Sequence, residues 1–76
     1  MSKITCKNTD DLVAYIKEKY NNEIEELKIE RFKKCKIRFK SGLIINIFET
    51  GTINFQGQKD TLLEVKLKNI IKLINT

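Results

Sequence analysis

The sequence predicts one α+β domain over residues 1–76, an antiparallel sheet with two helices on one face. Three observations predict it. Residues 23–57 alternate apolar and polar side chains, which is typical of half-buried strands. Residues 60–75 repeat their apolar side chains with a helical period instead. The pattern Phe-x-Ser/Thr-Gly occurs twice, at 39–42 and 48–51, and indicates tight turns. Because a single sheet must cover one of its faces, both helices are expected on that face.

The first twenty residues predict a short strand followed by a helix. Residues 3–7 alternate polar and apolar side chains, which is a short strand pattern. Asn8 or Thr9 can cap the helix, because short polar side chains accept hydrogen bonds from the first helical amides. Residues 10–20 keep a helical period, and the Asn-Asn pair that follows ends it. With Asp60 as the cap of the last helix, the predicted element order is β-α-β-β-β-β-α.

The repeated turn pattern predicts the register of the sheet. A three-residue hairpin loop places its third residue in the left-handed region, which Gly adopts without steric cost. Both loops, 40–42 and 49–51, have Gly in that position. The first loop sets Ile37 opposite Ile45, and the second sets Ile47 opposite Ile53. Every pair on this face is then apolar, whereas a one-residue slip would mix the two faces of the sheet.

The opposite face of the predicted sheet combines cations, amides and an aromatic ring. Cations suit phosphates, an aromatic ring suits base stacking, and amides suit base edges or sugar hydroxyls. Two acidic residues, Glu26 and Glu30, share this face, and the register sets them opposite Arg38 and Lys34. An ordinary solvated sheet face is the alternative interpretation. The residues predicted on this face are Glu26, Lys28, Glu30, Lys34, Lys36, Arg38, Ile44, Asn46, Phe48, Thr52, Asn54 and Gln56.

The composition restricts the possible functions. Lys and Arg outnumber Asp and Glu by 15 to 10, and the net charge of +5 suits a polyanionic partner. The chain has no His, which excludes Ser-His and Cys-His nucleophile pairs and every His-ligated metal site. Helix capping and a solvated turn explain the adjacent carboxylates at 10–11 and 25–26 better than acid-base chemistry does. We therefore expect no enzymatic activity, no metal and no cofactor.

The predicted location is the cytoplasm. No apolar run approaches the ~20 residues that a membrane-spanning helix needs. The first residues lack the apolar segment of a signal peptide. Two cysteines, Cys6 and Cys35, are too few for a disulfide framework and lack metal-ligand spacing, so both are expected to be small buried residues.

The segment Phe48–Gly57, with the sequence FETGTINFQG, resembles the aromatic-x-Ser-Gly-Lys-x-x-x-Gln-Gly signature of the TBP-like N-terminal domain of bacterial ribonuclease HIII. The signature positions are occupied by Phe48, Gly51, Gln56 and Gly57. Thr52 stands where the signature has Lys, and Lys34, Lys36 and Arg38 could compensate for that charge. The resemblance extends over most of the chain, from about residue 2 to residue 74. It implies a curved antiparallel sheet backed by two helices that binds an RNA/DNA hybrid, without nuclease activity.

Two functions from different classes follow from these residues. The first is a non-catalytic nucleic-acid-binding module that binds an RNA/DNA hybrid or duplex on the open face of the sheet. The second is a small protein-interaction module, such as an inhibitor or adaptor carried by a mobile element, because Phe48 and Ile44 rimmed by charges would also suit a protein. Binding of a small nucleotide is a third possibility, which no Gly-rich phosphate loop favours. The candidate nucleic-acid-binding residues are Lys28, Lys34, Lys36, Arg38, Asn46, Phe48, Thr52, Asn54 and Gln56.

A homodimer is also predicted. Leu62, Val65 and Leu73 widen the apolar stripe of the last helix beyond what one sheet face readily covers. Two copies would join through this helix or through a sheet edge, and an isologous interface would double the charge offered to a ligand. In the alternative arrangement, Tyr15 and Tyr20 cover these residues within the monomer.

Overall fold

The computed structural model describes residues 4–30 and 33–76, with the side chains of all of them except Glu30, Lys33 and Lys34. The elements in chain order are β1 (Ile4–Thr5), α1 (Thr9–Lys19), a 3-10 turn (Asn21–Glu23), β2 (Ile24–Glu30), β3 (Lys33–Phe39), β4 (Leu43–Phe48), β5 (Thr52–Gly57) and α2 (Thr61–Asn75). The strands form one antiparallel sheet in the order β1-β5-β4-β3-β2. The predicted α+β class and element order are confirmed.

Both helices begin at short polar side chains that satisfy exposed amides. Asn8 is the cap of α1, and its Oδ1 accepts a hydrogen bond from the Asp11 amide at 3.1 Å. Asp60 is the cap of α2, and its Oδ1 accepts from the Leu63 amide at 3.2 Å. Of the two residues predicted as the first cap, the structure selects Asn8, and Thr9 becomes the first helical residue.

The two glycine turns set the register of the central strands. Gly42 and Gly51 have φ values of 97° and 95°, in the left-handed region. Each Gly amide donates a 2.9 Å hydrogen bond to the carbonyl of the Phe three residues earlier. Beyond these turns Ile37 is the partner of Ile45, and Ile47 is the partner of Ile53. The predicted register is therefore confirmed.

One apolar core lies between the sheet and the helices. α1 contributes Leu12 and Ile16, both fully buried. The sheet contributes the alternate side chains of β3, β4 and β5 that the register predicts. α2 contributes Leu63, Leu67, Ile70 and Ile71 to the same cluster. Because both helices share a core with a single set of alternate strand residues, they cover the same face of the sheet.

The edge strand β2 departs from the predicted pattern. Glu26 is opposite Arg38 as predicted, but the Cα partner of Glu30 is Lys33, so the predicted pair with Lys34 is wrong. A register shift between Lys28 and Glu30 interrupts the ladder there. Ile29 lies within this irregular stretch and is 79 % exposed, although simple alternation predicts that it faces the core. A bulge breaks the period of two, which explains both differences.

Both cysteines are free and buried, as predicted. Burial raises the pKa of the Cys6 thiol, and burial also raises the pKa of Cys35, which the charge of Lys17 partly offsets. A raised thiol pKa favours the protonated form, so both side chains act as small apolar groups. Among the described residues, no helix is both long and apolar enough to cross a bilayer.

Candidate nucleic-acid interface

The open face of the sheet, meaning the face turned away from the helices, is organised in two rows that cross four strands. The first row joins Lys28, Lys36, Asn46 and Asn54 as direct Cα partners from β2 to β5. The second joins Glu26, Arg38, Ile44 and Gln56 in the same way. The structure therefore places six of the nine predicted site residues within two adjacent rows. These are Lys28, Lys36, Arg38, Asn46, Asn54 and Gln56.

The cations on this face are concentrated on β2 and β3. Lys28 and Lys36 are direct partners, and like charges directly opposite each other destabilise a sheet. Lys28 and Arg38 are exposed, and Lys36 is half-buried. The Glu26 carboxylate lies 3.8 Å from the Lys28 ammonium and is opposite Arg38. Glu26 thus reduces the local charge excess without separating the two lysines.

Asn46 occupies a different environment from the exposed one predicted for it. Its residue is 1 % exposed, and its Nδ2 donates a 2.7 Å hydrogen bond to Gln56 Oε1. Asn46 lies on the central strand β4 between Lys36 of β3 and Asn54 of β5, so its short side chain is enclosed by those of the neighbouring strands. Asn46 therefore orients Gln56, while Gln56 and Asn54 are the exposed amides of the face.

Apolar groups on the open face are only partly accessible. Phe48 and Ile44 are half-buried, so the ring of Phe48 presents part of its surface to solvent. Thr52 is also half-buried, and its Oγ1 lies 3.2 Å from Thr50 Oγ1. The exposed charged and polar side chains of this face are consequently more accessible to a ligand than the ring of Phe48 is.

One predicted site residue lies outside the described side chains. The backbone of Lys34 belongs to β3, but its side chain is not among those that the structure describes. The same holds for Glu30 at the end of β2. Within the described part of the chain, no group of three or more acidic, Cys or His residues is placed to hold a metal ion.

The sequence interpretation missed the role of Asn75 at the other edge of the sheet. Its Oδ1 accepts a 2.7 Å hydrogen bond from the Lys7 amide, and its Nδ2 donates at 2.8 Å to the Thr5 carbonyl. The side-chain amide thereby forms hydrogen bonds with two backbone groups at β1 and just after it, as the backbone of a neighbouring strand would. The only signal in the sequence is a polar residue that ends the apolar stripe of α2.

Three apolar side chains on the outer surface of α2 are uncovered, among exposed polar residues that include Lys66 and Lys72. Leu62, Val65 and Leu73 are 69 %, 48 % and 74 % exposed. The ring of Tyr20 packs edge-on against Phe39 at 6.5 Å between centroids, and although Tyr20 borders a cavity together with Leu62, it leaves most of the Leu62 side chain exposed. Tyr15 is itself 38 % exposed. The arrangement in which α1 covers these three residues is therefore wrong.

Comparison of the chain with protein-family models, with curated proteins and with solved structures finds no match in any of the three.

Proposed function

We propose that the chain is a non-catalytic module that binds nucleic acid, an RNA/DNA hybrid or duplex, on the open face of its sheet. The observation that carries the proposal is the direct pairing of Lys28 with Lys36. Two lysines that are direct cross-strand partners bring like charges together, which is unfavourable in the free protein, and a phosphate bound between them would relieve that repulsion. Such an arrangement is expected where a polyanion binds.

The remaining groups fit a nucleic-acid backbone. Arg38 follows Lys36 by two residues on β3, so the two cations lie on the same side of that strand. Asn54 and Gln56 are exposed on β5, which places hydrogen-bonding groups on the far side of the face from the cations. Lysines and Arg38 bind phosphates, and the amides bind sugar hydroxyls or base edges. Thr52 and the accessible part of Phe48 extend this contact at the end of the sheet.

A sheet face suits a duplex with a wide, shallow groove. The described open face presents strands only, and no helix that would enter a deep major groove. A-form helices display 2′-hydroxyls and base edges in a wide minor groove, within reach of exposed amides. The resemblance of Phe48–Gly57 to the ribonuclease HIII signature points to the same ligand class. These arguments favour an RNA/DNA hybrid or double-stranded RNA over B-form DNA.

A salt series tests the proposed function. Filter binding would be measured with one sequence prepared as hybrid, RNA duplex, DNA duplex and single strand. If ~4 phosphates are contacted, log K should fall with log salt with a slope near −3.6, at ~0.9 per phosphate. The hybrid should bind more tightly than the DNA duplex. Absence of binding to every form at low salt would end the proposal.

The exposed surface of α2 favours a second candidate function, a protein-interaction module such as an inhibitor or adaptor. Exposed Leu62, Val65 and Leu73 form an apolar stripe of the kind that binds another protein. A pull-down from nuclease-treated lysate separates the two functions. A partner that is retained by the native chain and lost with Leu73→Glu supports protein interaction, whereas partners that vanish with the nuclease support nucleic-acid binding.

A further inference from the structure

The two edges of the sheet differ in how they are covered. At one edge, Asn75 occupies the Thr5 carbonyl and the Lys7 amide, so β1 has little backbone left for another strand. At the other edge, β2 (Ile24–Glu30) pairs with β3 on one side, and no described strand lies on its other side. An edge strand of this length presents unpaired backbone groups that another strand can use.

The helix-facing side of this β2 edge is apolar. Ile29 is 79 % exposed and Leu27 is half-buried. Both line a groove of about 280 Å³ between β2 and α1, together with Val13 and Ala14 of the helix, and the charged side chains of Asp10 and Lys17 also border it. A second strand that pairs with this edge would cover Ile29 and part of the groove.

The open-face side of the same edge carries one negative and one positive charge. Glu26 and Lys28 flank Leu27, and both side chains are largely exposed, at 49 % and 61 %. If a second β2 strand lies antiparallel with Leu27 opposite Leu27, then Glu26 lies opposite Lys28 of the partner subunit, and Lys28 opposite its Glu26. The charge pattern is therefore complementary to itself about a two-fold axis at Leu27.

We propose that the protein forms an isologous homodimer through its β2 edges. Strand pairing, the two charge pairs and the adjoining grooves all repeat across one two-fold axis, as an isologous interface requires. The regular ladder of β2 spans only Glu26–Lys28, because register shifts occur on both sides of it. The interface is accordingly small, and the dimer is expected to be weak, with a population that rises with protein concentration.

The dimer extends the open face across the axis. Two copies joined in this way make a continuous ten-stranded sheet, since each copy contributes five strands. The Lys28, Lys36 and Arg38 groups of both copies then flank the two-fold axis on one face. A ligand that spans the axis meets twice the number of cations, so nucleic-acid affinity would rise with dimer formation. Dimer formation is measured without nucleic acid, so its test is independent of the test of the proposed function.

Sedimentation equilibrium with charge variants tests the interface. The native chain should approach twice the monomer mass of 8.9 kDa as the concentration rises. Lys28→Glu and Glu26→Lys each put like charges across the axis, so each alone should weaken the dimer at least ~10-fold. An equimolar mixture of the two variants restores opposite charges across the axis and should regain the dimer mass.

Two further variants distinguish this interface from others. Ile29→Lys changes a side chain that is exposed in the monomer, so the chain should fold but remain monomeric. Leu73→Glu alters α2 and should leave the dimer intact. The proposal is overturned by a monomer mass for the native chain at all concentrations, by a dimer that survives Lys28→Glu, or by a dimer that only Leu73→Glu dissociates. Circular dichroism confirms that each variant is folded.

Discussion

Exchanging Lys28, Lys36 and Arg38 together for Gln is expected to remove most of the affinity for nucleic acid with little effect on the stability of the fold. If each residue contacts one phosphate, the salt slope should fall by about 2.7, which corresponds to a loss of roughly 100-fold or more near 0.1 M salt. Stability should change by less than about 1 kcal/mol. The exchange removes the repulsion between Lys28 and Lys36, but it also removes the attraction of Glu26 to Lys28 and Arg38, and the two effects oppose each other.

A matched variant controls for net charge. Lys19, Lys66 and Lys72 are exposed on the two helices, on the other side of the sheet. Their joint exchange for Gln lowers the net charge by the same amount and should leave the salt slope nearly unchanged. Urea unfolding and filter binding would be measured on both variants. Equal loss of affinity in the two would show that overall charge drives the binding, and unfolding of the first variant would leave its loss of affinity without a site-specific meaning.

The register of the central strands could be predicted because local residues determine it. A left-handed Gly closes each hairpin, and its position in the loop sets which side chains are opposite one another. Once Ile37 is opposite Ile45, the composition of the open face follows by alternation. The pairing of Lys28 with Lys36 depends on β2 as well, where only the residues 26–28 keep the regular register.

The remaining features depend on interactions that alternation does not describe. A bulge near the end of β2 exposes Ile29, and the backbone geometry that causes it leaves no mark in the apolar pattern. The burial of Asn46 results from its place on a central strand and from its hydrogen bond to Gln56. The Asn75 contact joins residues about seventy positions apart in the chain, so no local pattern predicts it.

Gly57→Ala is expected to be the most destabilising of the glycine substitutions. Gly57 has a φ of 78°, where a side chain is strained. A Cβ there would overlap the Gly42 carbonyl oxygen and would lie 3.2 Å from two side-chain carbons of Ile44. The Gly42 oxygen is a backbone atom that accepts a 2.9 Å hydrogen bond from the Gln58 amide, so it cannot move freely. The backbone strain at residue 57 and the displacement of the Gly42 carbonyl should together lower the free energy of unfolding by at least ~2 kcal/mol. The loss is measured from the shift in the urea midpoint.

Gly42→Ala provides the control for this prediction. It imposes similar strain, since φ is 97°, and its Cβ would lie 2.7 Å from Gln58 Cγ and 2.8 Å from Gln58 Cβ. The Cγ can rotate away, whereas the Cβ moves only with the backbone of Gln58, an exposed residue that follows β5 and can shift more easily than a backbone atom within the sheet. Gly51→Ala should resemble Gly57→Ala, because its Cβ would lie 2.8 Å from the Cys6 carbonyl oxygen. The expected order of cost therefore places Gly42 last. If Gly42→Ala is the most costly, backbone crowding is not the cause. If the order holds, close backbone packing explains why Gly stands at positions 51 and 57.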